Sequence, residues 1–311
     1  MSDRIAPREA FGKTLVRLGE ENPNIVVLDA DLAPSTKTSY FRESFPQRFI
    51  PVGIAEQNMI GIAAGLSTLG FIPFATTFAC FASRRVCDQV TVSCAYPRLN
   101  VKIVGGYVGL FVGKNGATHQ ALEDIAIMRS IANMVVIEPA DATETERVIE
   151  FACNYDGPVY LRIGRDPMPQ IVPQDYKFQL GKALVLREGK DVTLISSGAM
   201  VEDTLKAASL VEKEGIDARV INMSCIKPVD EEIIVKAAEE TGRIVTVENH
   251  NIIGGLGSAV CEVVAERYPV RIKRIGIRDV FGKSGTNEEM KAKFKLRAED
   301  IAKEVINFVG G

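Results

Sequence analysis

The sequence predicts an α/β protein of two domains, each a mostly parallel sheet covered by helices. Three observations predict it. Short β-branched apolar runs alternate with longer helical patterns along nearly the whole chain. The short runs are continuously apolar instead of alternating, the mark of strands buried on both faces. A proline-bearing stretch at 166–190 interrupts the alternation once, after which it restarts. The 311 residues suit two domains of ordinary size.

In the first part, candidate strands fall at 25–28, 49–52, 71–74, 101–105, 135–138 and 159–163. Helical patterns lie at 6–21, 56–69, 78–96, 121–131 and 141–155. The last opens on Asp141 with Glu144 three residues on, a capping-box-like start after Pro139. Residues 57–83 carry no charge and are long enough to span a bilayer. Gly65, Gly70 and Pro73 punctuate that run, and Ser67, Thr68, Thr76 and Thr77 interrupt it. A helix, a buried strand and a second helix therefore explain it better than a membrane span. Residues 166–190 carry Pro167, Pro169 and Pro173 and read as a linker. Strands at 191–196, 218–223, 243–248 and 271–275 then alternate with helices at 199–215, 230–241 and 255–268. A helix at 287–308 closes the chain. The two domains divide as 1–175 and 185–311.

Composition narrows the function classes. With 46% hydrophobic and 25% charged residues the chain is not disordered. A net charge of -3 supplies no basic footprint for nucleic acid or an anionic membrane. Only two histidines occur, so a multi-histidine metal site is excluded, and no metal ligands are assigned to this chain. None of the six cysteines forms a CxxC pair. Cys80, Cys87 and Cys94 are seven apart on one helical stripe and read as small buried hydrophobes of a reducing compartment. The start, MSDRIAPREAFGK, has no apolar signal core, so the expected location is cytoplasmic.

Three glycine motifs fail on spacing. GLFVGK at 109–114 has three residues between its glycines, and a P-loop needs four. FGKS at 281–284 lacks the upstream glycine. GLGSAV at 255–260 ends on Val260 where a dinucleotide fingerprint needs Gly or Ala, and reads as a tight turn.

Five features carry chemistry. Glu56 sits where the segment PVGIA meets an apolar helix. Phe78 and Phe81 lie three apart. A glycine-rich stretch from Gly105 ends at His119. The loop DADLAPST follows the first strand, and Arg165 ends the last strand of the first domain. Singly, each has an ordinary structural role open to it: a helix-dipole partner, a core pair, a solvated histidine, a cap, a surface charge. Together they all fall after strands or at helix starts, at the edge where parallel sheets bind ligands.

The strings VGIAEQNMIGIAAGL, TFACF, GKNGATHQ and IEPADATE closely resemble the pyrimidine-binding domain of transketolase. DADLAPST and VENHNIIGGLGSAV also resemble that family, in order and over nearly the whole chain. The resemblance implies a thiamine diphosphate enzyme that transfers a two-carbon ketol unit between sugar phosphates. It implies that Glu56 hydrogen-bonds the pyrimidine ring nitrogen and favours the imino tautomer that deprotonates the thiazolium carbon. Phe78 and Phe81 match the aromatics that pack against the pyrimidine. Asp31 matches a carboxylate lining the channel. His119 matches the histidine that contacts the substrate near the reacting carbon, and Arg8, Ser35 and Arg165 match the phosphate anchor. Asn115 stands where many transketolases have Asp, which reads hydroxyl stereochemistry. Tyr107 replaces a second histidine, and Arg84 replaces an aromatic residue, often Tyr. His250 is read as structural or at a subunit interface, not catalytic.

The diphosphate-binding domain of fused transketolases carries a Gly-Asp-Gly segment that is missing from this sequence. The resemblance therefore implies a C-terminal subunit of a split transketolase. Its N-terminal partner would hold most of the Mg²⁺ and diphosphate contacts in an α₂β₂ assembly, and the chain would self-associate as a dimer. Other readings are the β subunit of a 2-oxoacid dehydrogenase E1 component, a deoxyxylulose-phosphate synthase-like enzyme, and a non-catalytic scaffold. The first lacks the DLAPST and THQ patterns, the second is normally one fused chain, and retention of Glu56, Phe78, Phe81 and His119 opposes the third.

Overall fold

A computed structural model describes residues 4–311. The first sheet gathers β1 (Ile25–Asp29), β2 (Phe49–Pro51), β3 (Ile72–Phe78), β4 (Lys102–Gly106), β5 (Val135–Ile137) and β6 (Val159–Ile163), all parallel. The remaining strands are β7 (Leu184–Arg187), β8 (Val192–Ser196), β9 (Ala218–Asn222), β10 (Cys225–Lys227), β11 (Arg243–Asn251) and β12 (Arg271–Ile277). Five of these form a second sheet in the order β12-β11-β8-β9-β7, parallel except for β7. The expected α/β architecture of two mostly parallel, helix-covered sheets is observed.

Burial follows from the strand pattern. Every residue of β1, β4 and β6 is buried, the charged Asp29, Lys102 and Arg162 included, as in strands covered on both faces. Side chains still alternate between the two faces. Phe74 packs into the layer of Phe11 and Leu15, whereas its neighbour Ala75 packs into the layer of Met59, Ile60 and Ile103. Each such large side chain contributes about 1.5–3 kcal/mol by leaving water.

Several elements differ from expectation. β3 runs on to Phe78 because Thr76, Thr77 and Phe78 pair with Val104, Gly105 and Gly106. That takes Phe78 from the helix expected over 78–96, which is itself divided into Ala79–Arg84, Cys87–Gln89 and a π-helical stretch Val90–Ala95. That break disrupts the cysteine stripe: Cys80 and Cys94 are buried, but Cys87 is exposed. The helix expected over 287–308 is two, Asn287–Phe294 and Ala298–Gly310, separated at Lys295 with φ +57°. The 166–190 stretch contains edge strand β7, too short to show a period. β10 leaves its own sequence neighbours and pairs antiparallel with β5, completing a seven-stranded first sheet. Among the described residues no helix is long and apolar enough to cross a membrane.

Candidate active site

β1, β3, β4 and β6 end at Asp29, Phe78, Gly106 and Ile163, so the segments after them open on one edge of the first sheet. Ligands bind at that edge in open α/β sheets. Glu56 is the first residue of the helix Glu56–Thr68 and only 4% exposed. Arg85 Nη1 donates to its Oε1 at 2.7 Å. The same guanidinium lies over Phe81, 3.9 Å from the ring centroid.

Four aromatic rings form one wall beside this pair. Phe78, the last residue of β3, stacks on Tyr107 with centroids 4.1 Å apart and on Phe81 at 6.0 Å. His119 meets Phe81 and Phe78 edge-on at 5.5 and 6.2 Å. Its Nδ1 lies 2.9 Å from the Thr118 hydroxyl. The structure thus brings Glu56, Phe78, Phe81 and His119 together.

Tyr107 joins this wall to a second group. Its backbone is left-handed, with φ +58°. Arg8 and Arg165 stand 5.5 and 5.3 Å from its ring centroid. Arg8 Nη1 donates to the Tyr107 hydroxyl at 2.9 Å and to the Ser35 carbonyl at 3.0 Å. Ser35 therefore meets Arg8 through its backbone. Arg165 Nη1 pairs with Asp166 at 2.9 Å. Among the described residues, the Nε atoms of both arginines are buried without a partner, which suits an anion arriving between them.

Two expected residues stand apart. Asp31 is exposed, with φ +63°, on a loop held by buried Asp29. Asp29 accepts from the Leu32 amide at 2.6 Å and from the Thr36 and Thr38 hydroxyls at 3.0 and 2.8 Å. Asn115 is exposed at the end of the turn Gly113–Asn115. Neither side chain makes a hydrogen bond among the described residues. Arg84 replaces an aromatic contact with an ion pair to Glu123 at 2.9 Å.

The second domain positions the His119 loop, which has no signature in the sequence. Asn249 Oδ1, at the end of β11, accepts from the Leu110 amide at 2.8 Å. Gly109 has φ +59°, and a Cβ there would lie 2.3 Å from Asn249, so only glycine fits. Gln120 Nε2 donates to the carbonyls of Leu110 and Lys283 at 3.2 and 3.0 Å. Beneath the loop, fully buried Arg162 pairs with Asp124 at 2.9 Å and with Glu138. His250, expected to be structural, is fully buried, and burial pushes it down to about 4. Its Nε2 is 3.8 Å from Asp124.

Two family descriptions match the chain: "transketolase, pyrimidine binding domain" over residues 3–170 and "transketolase, C-terminal domain" over 181–301. A putative transketolase C-terminal section of Methanocaldococcus jannaschii is 47% identical over 302 residues, covering 96% of this chain and 95% of the relative. The chain belongs to the transketolase family.

A 6-deoxy-6-sulfo-D-fructose transketolase subunit of Clostridium sp. (strain MSTE9) is 45% identical over 296 residues, covering 95% of this chain and 92% of that one. A solved split-gene transketolase, described as an inactive β₄ tetramer, superposes with a TM-score of 0.92 at 50% identity, covering 98% and 99% of the two chains. Transketolase membership implies thiamine diphosphate as cofactor. Among the described residues, no group of three or more His, Cys, Asp or Glu side chains is placed to hold a metal ion. Arg85 is the site residue that the motifs do not point to; the signal available is the Arg84-Arg85 pair that ends the charge-free run.

Proposed function

We propose that this chain is the C-terminal subunit of a split transketolase, transferring a two-carbon ketol unit between anionic sugars with thiamine diphosphate. One observation carries the reading. A buried carboxylate, Glu56, stands beside an aromatic wall, and one flat group, the Arg85 guanidinium, reaches from that carboxylate to the Phe81 ring. The aminopyrimidine of the cofactor is likewise flat, and its ring nitrogen can share a proton with the Glu56 carboxyl, so the residues fit it. When bound, the cofactor supplies the carbon nucleophile.

In this reading Glu56 holds a proton at the pyrimidine nitrogen, and Phe78 and Phe81 orient the ring. His119, edge-on to both phenylalanines, donates to the sugar near its reacting carbon. Arg8 and Arg165 clamp the phosphate, with Ser35 holding Arg8. Asn115 reads a substrate hydroxyl, and Asp31 lines the channel mouth. The relative named for a sulfo-sugar indicates that a sulfonate is an alternative anion for the two arginines, and Tyr107 and Asn115 are where substrate choice would differ.

The partner is an N-terminal subunit that contributes Mg²⁺ and diphosphate contacts. Relatives named as a C-terminal section and a subunit support this, as does an inactive β₄ tetramer. Ile54, Leu69, Val92 and Tyr96 are large apolar side chains left exposed, which suits burial in an α₂β₂ assembly and a dimer of this chain. The domain division at 1–175 and 185–311 and a cytoplasmic location are part of the same proposal.

The test is ketol transfer by this chain alone, by the chain with its N-terminal partner, and by the pair carrying Glu56→Ala. Activity is expected only from the wild-type pair. Full activity of the isolated chain would refute the split assembly, and normal turnover of the Glu56→Ala pair would refute the catalytic reading.

A further inference from the structure

Glu56 is nearly inaccessible, yet its one side-chain partner among the described residues is an arginine whose own side chain is 46% exposed. Arg85 makes no other side-chain hydrogen bond among them, while the adjacent Arg84 is tied to Glu123 and to the carbonyls of Cys80 and Thr118. The Arg85 backbone is pinned, its carbonyl accepting from Gln57 Nε2 at 3.0 Å, one residue beyond Glu56. The guanidinium plane then spans from the Glu56 carboxylate to the face of Phe81.

A guanidinium is planar, weakly hydrated, stacks on aromatic faces and donates from its edge. These are the two features by which an aminopyrimidine would be recognised here: a face on Phe81 and an in-plane nitrogen at Glu56. Two such groups cannot hold one carboxylate oxygen and one ring face together. A buried carboxylate without a partner is costly, which explains why a neighbouring cation fills the gap. Because Arg85 is half exposed, it can return to water without unfolding anything.

We propose that Arg85 occupies the aminopyrimidine seat in the cofactor-free subunit and must leave it for thiamine diphosphate to bind. This rests on the assignment of Glu56 to the pyrimidine. Cofactor uptake is then an exchange at Glu56, and the apparent affinity is reduced by the fraction of molecules in which Arg85 is seated. The bound state lacks the Arg85 contact, so the effect falls on the rate of binding and not on release.

The experiment titrates thiamine diphosphate with Mg²⁺ into the complex of this chain with its N-terminal partner, by calorimetry and stopped-flow. Arg85→Met is expected to lower Kd about tenfold, through faster association with unchanged dissociation. Arg85→Gln repeats the measurement if the methionine variant fails to assemble. Glu56→Gln is expected to raise Kd at least about tenfold. An Arg85 variant with unchanged or weaker binding, beside a Glu56→Gln variant that loses affinity, overturns the Arg85 proposal and leaves the Glu56 assignment standing. An unchanged Kd for Glu56→Gln overturns that assignment and the proposal with it.

Discussion

Arg162, inside the first sheet, donates through Nη2 to the backbone carbonyl of Asn249 at 3.0 Å, at the end of β11 in the second sheet. The same guanidinium reaches the Ala121 carbonyl at 3.1 Å, two residues past His119. One buried cation therefore ties the second domain to the end of the glycine-rich loop. Its charge is offset by Asp124, itself held by the Tyr160 hydroxyl at 2.8 Å, and by Glu138, held by Ser197 at 2.6 Å.

Removing that cation leaves two buried carboxylates without it. Arg162→Met is expected to cost about 3–5 kcal/mol, read from denaturant unfolding. The triple variant Arg162→Met, Asp124→Asn, Glu138→Gln is expected to recover part of the loss, because no uncompensated charge remains. A single variant as stable as the wild type would show that the cluster is not a net determinant of the fold.

Gly109→Ala introduces a Cβ into the space of Asn249 at a left-handed φ. A loss of about 1–3 kcal/mol is expected. Because His119 is carried on the displaced loop, turnover of the reconstituted pair is expected to fall on the order of tenfold or more. Adding Asn249→Ala removes the side-chain overlap but not that with the Asn249 carbonyl oxygen, also at 2.3 Å, so most of the loss is expected to remain.

Lys102 is fully buried in β4, with Nζ donating to the carbonyls of Tyr155 and Gly157 at 2.6 and 2.8 Å. Burial pushes its ammonium down to about 7 from the ordinary 10.5. The folded value lies below the unfolded one, so stability is fully present above about 10.5 and is lost as pH falls towards 7. The slope is about 1.4 kcal/mol per pH unit, or about 5 kcal/mol over the window. Wild-type stability minus that of Lys102→Met is expected to rise between pH 7 and 10.5. Parallel curves would mean that the lysine stays charged in the fold.

Tyr107→Phe keeps the stack on Phe78 but removes the hydroxyl that accepts from Arg8. KM for the phosphorylated sugar is expected to rise roughly three- to tenfold, the loss of one hydrogen bond, with kcat within about twofold. An unchanged KM would show that Arg8 does not need Tyr107 to meet its anion.

Much of the site is legible in the sequence. The motifs point to Glu56, Phe78, Phe81 and His119, and these do converge, because each follows a strand or opens a helix at one sheet edge. Arg8, Ser35 and Arg165 also converge, from three separate segments. Asp31 and Asn115 do not join either cluster, since motif position locates a residue on a loop without saying where its side chain is held. The stripe of Cys80, Cys87 and Cys94 fails because the helix breaks after Arg84 and continues past Gln89 with a π-helical turn, so seven-residue spacing no longer keeps one face.

By itself the sequence determined the layer architecture, the family and which residue types stand at the sheet edge. Those are properties of local hydrophobic pattern and motif order. Only the tertiary structure decided what those residues touch. β10 crossing to the first sheet, Asn249 closing on Gly109, and Arg85 covering Phe81 to reach Glu56 are all contacts whose energy depends on burial and exclusion of water. Those conditions are set by packing between segments and have no signature in the spacing along the chain.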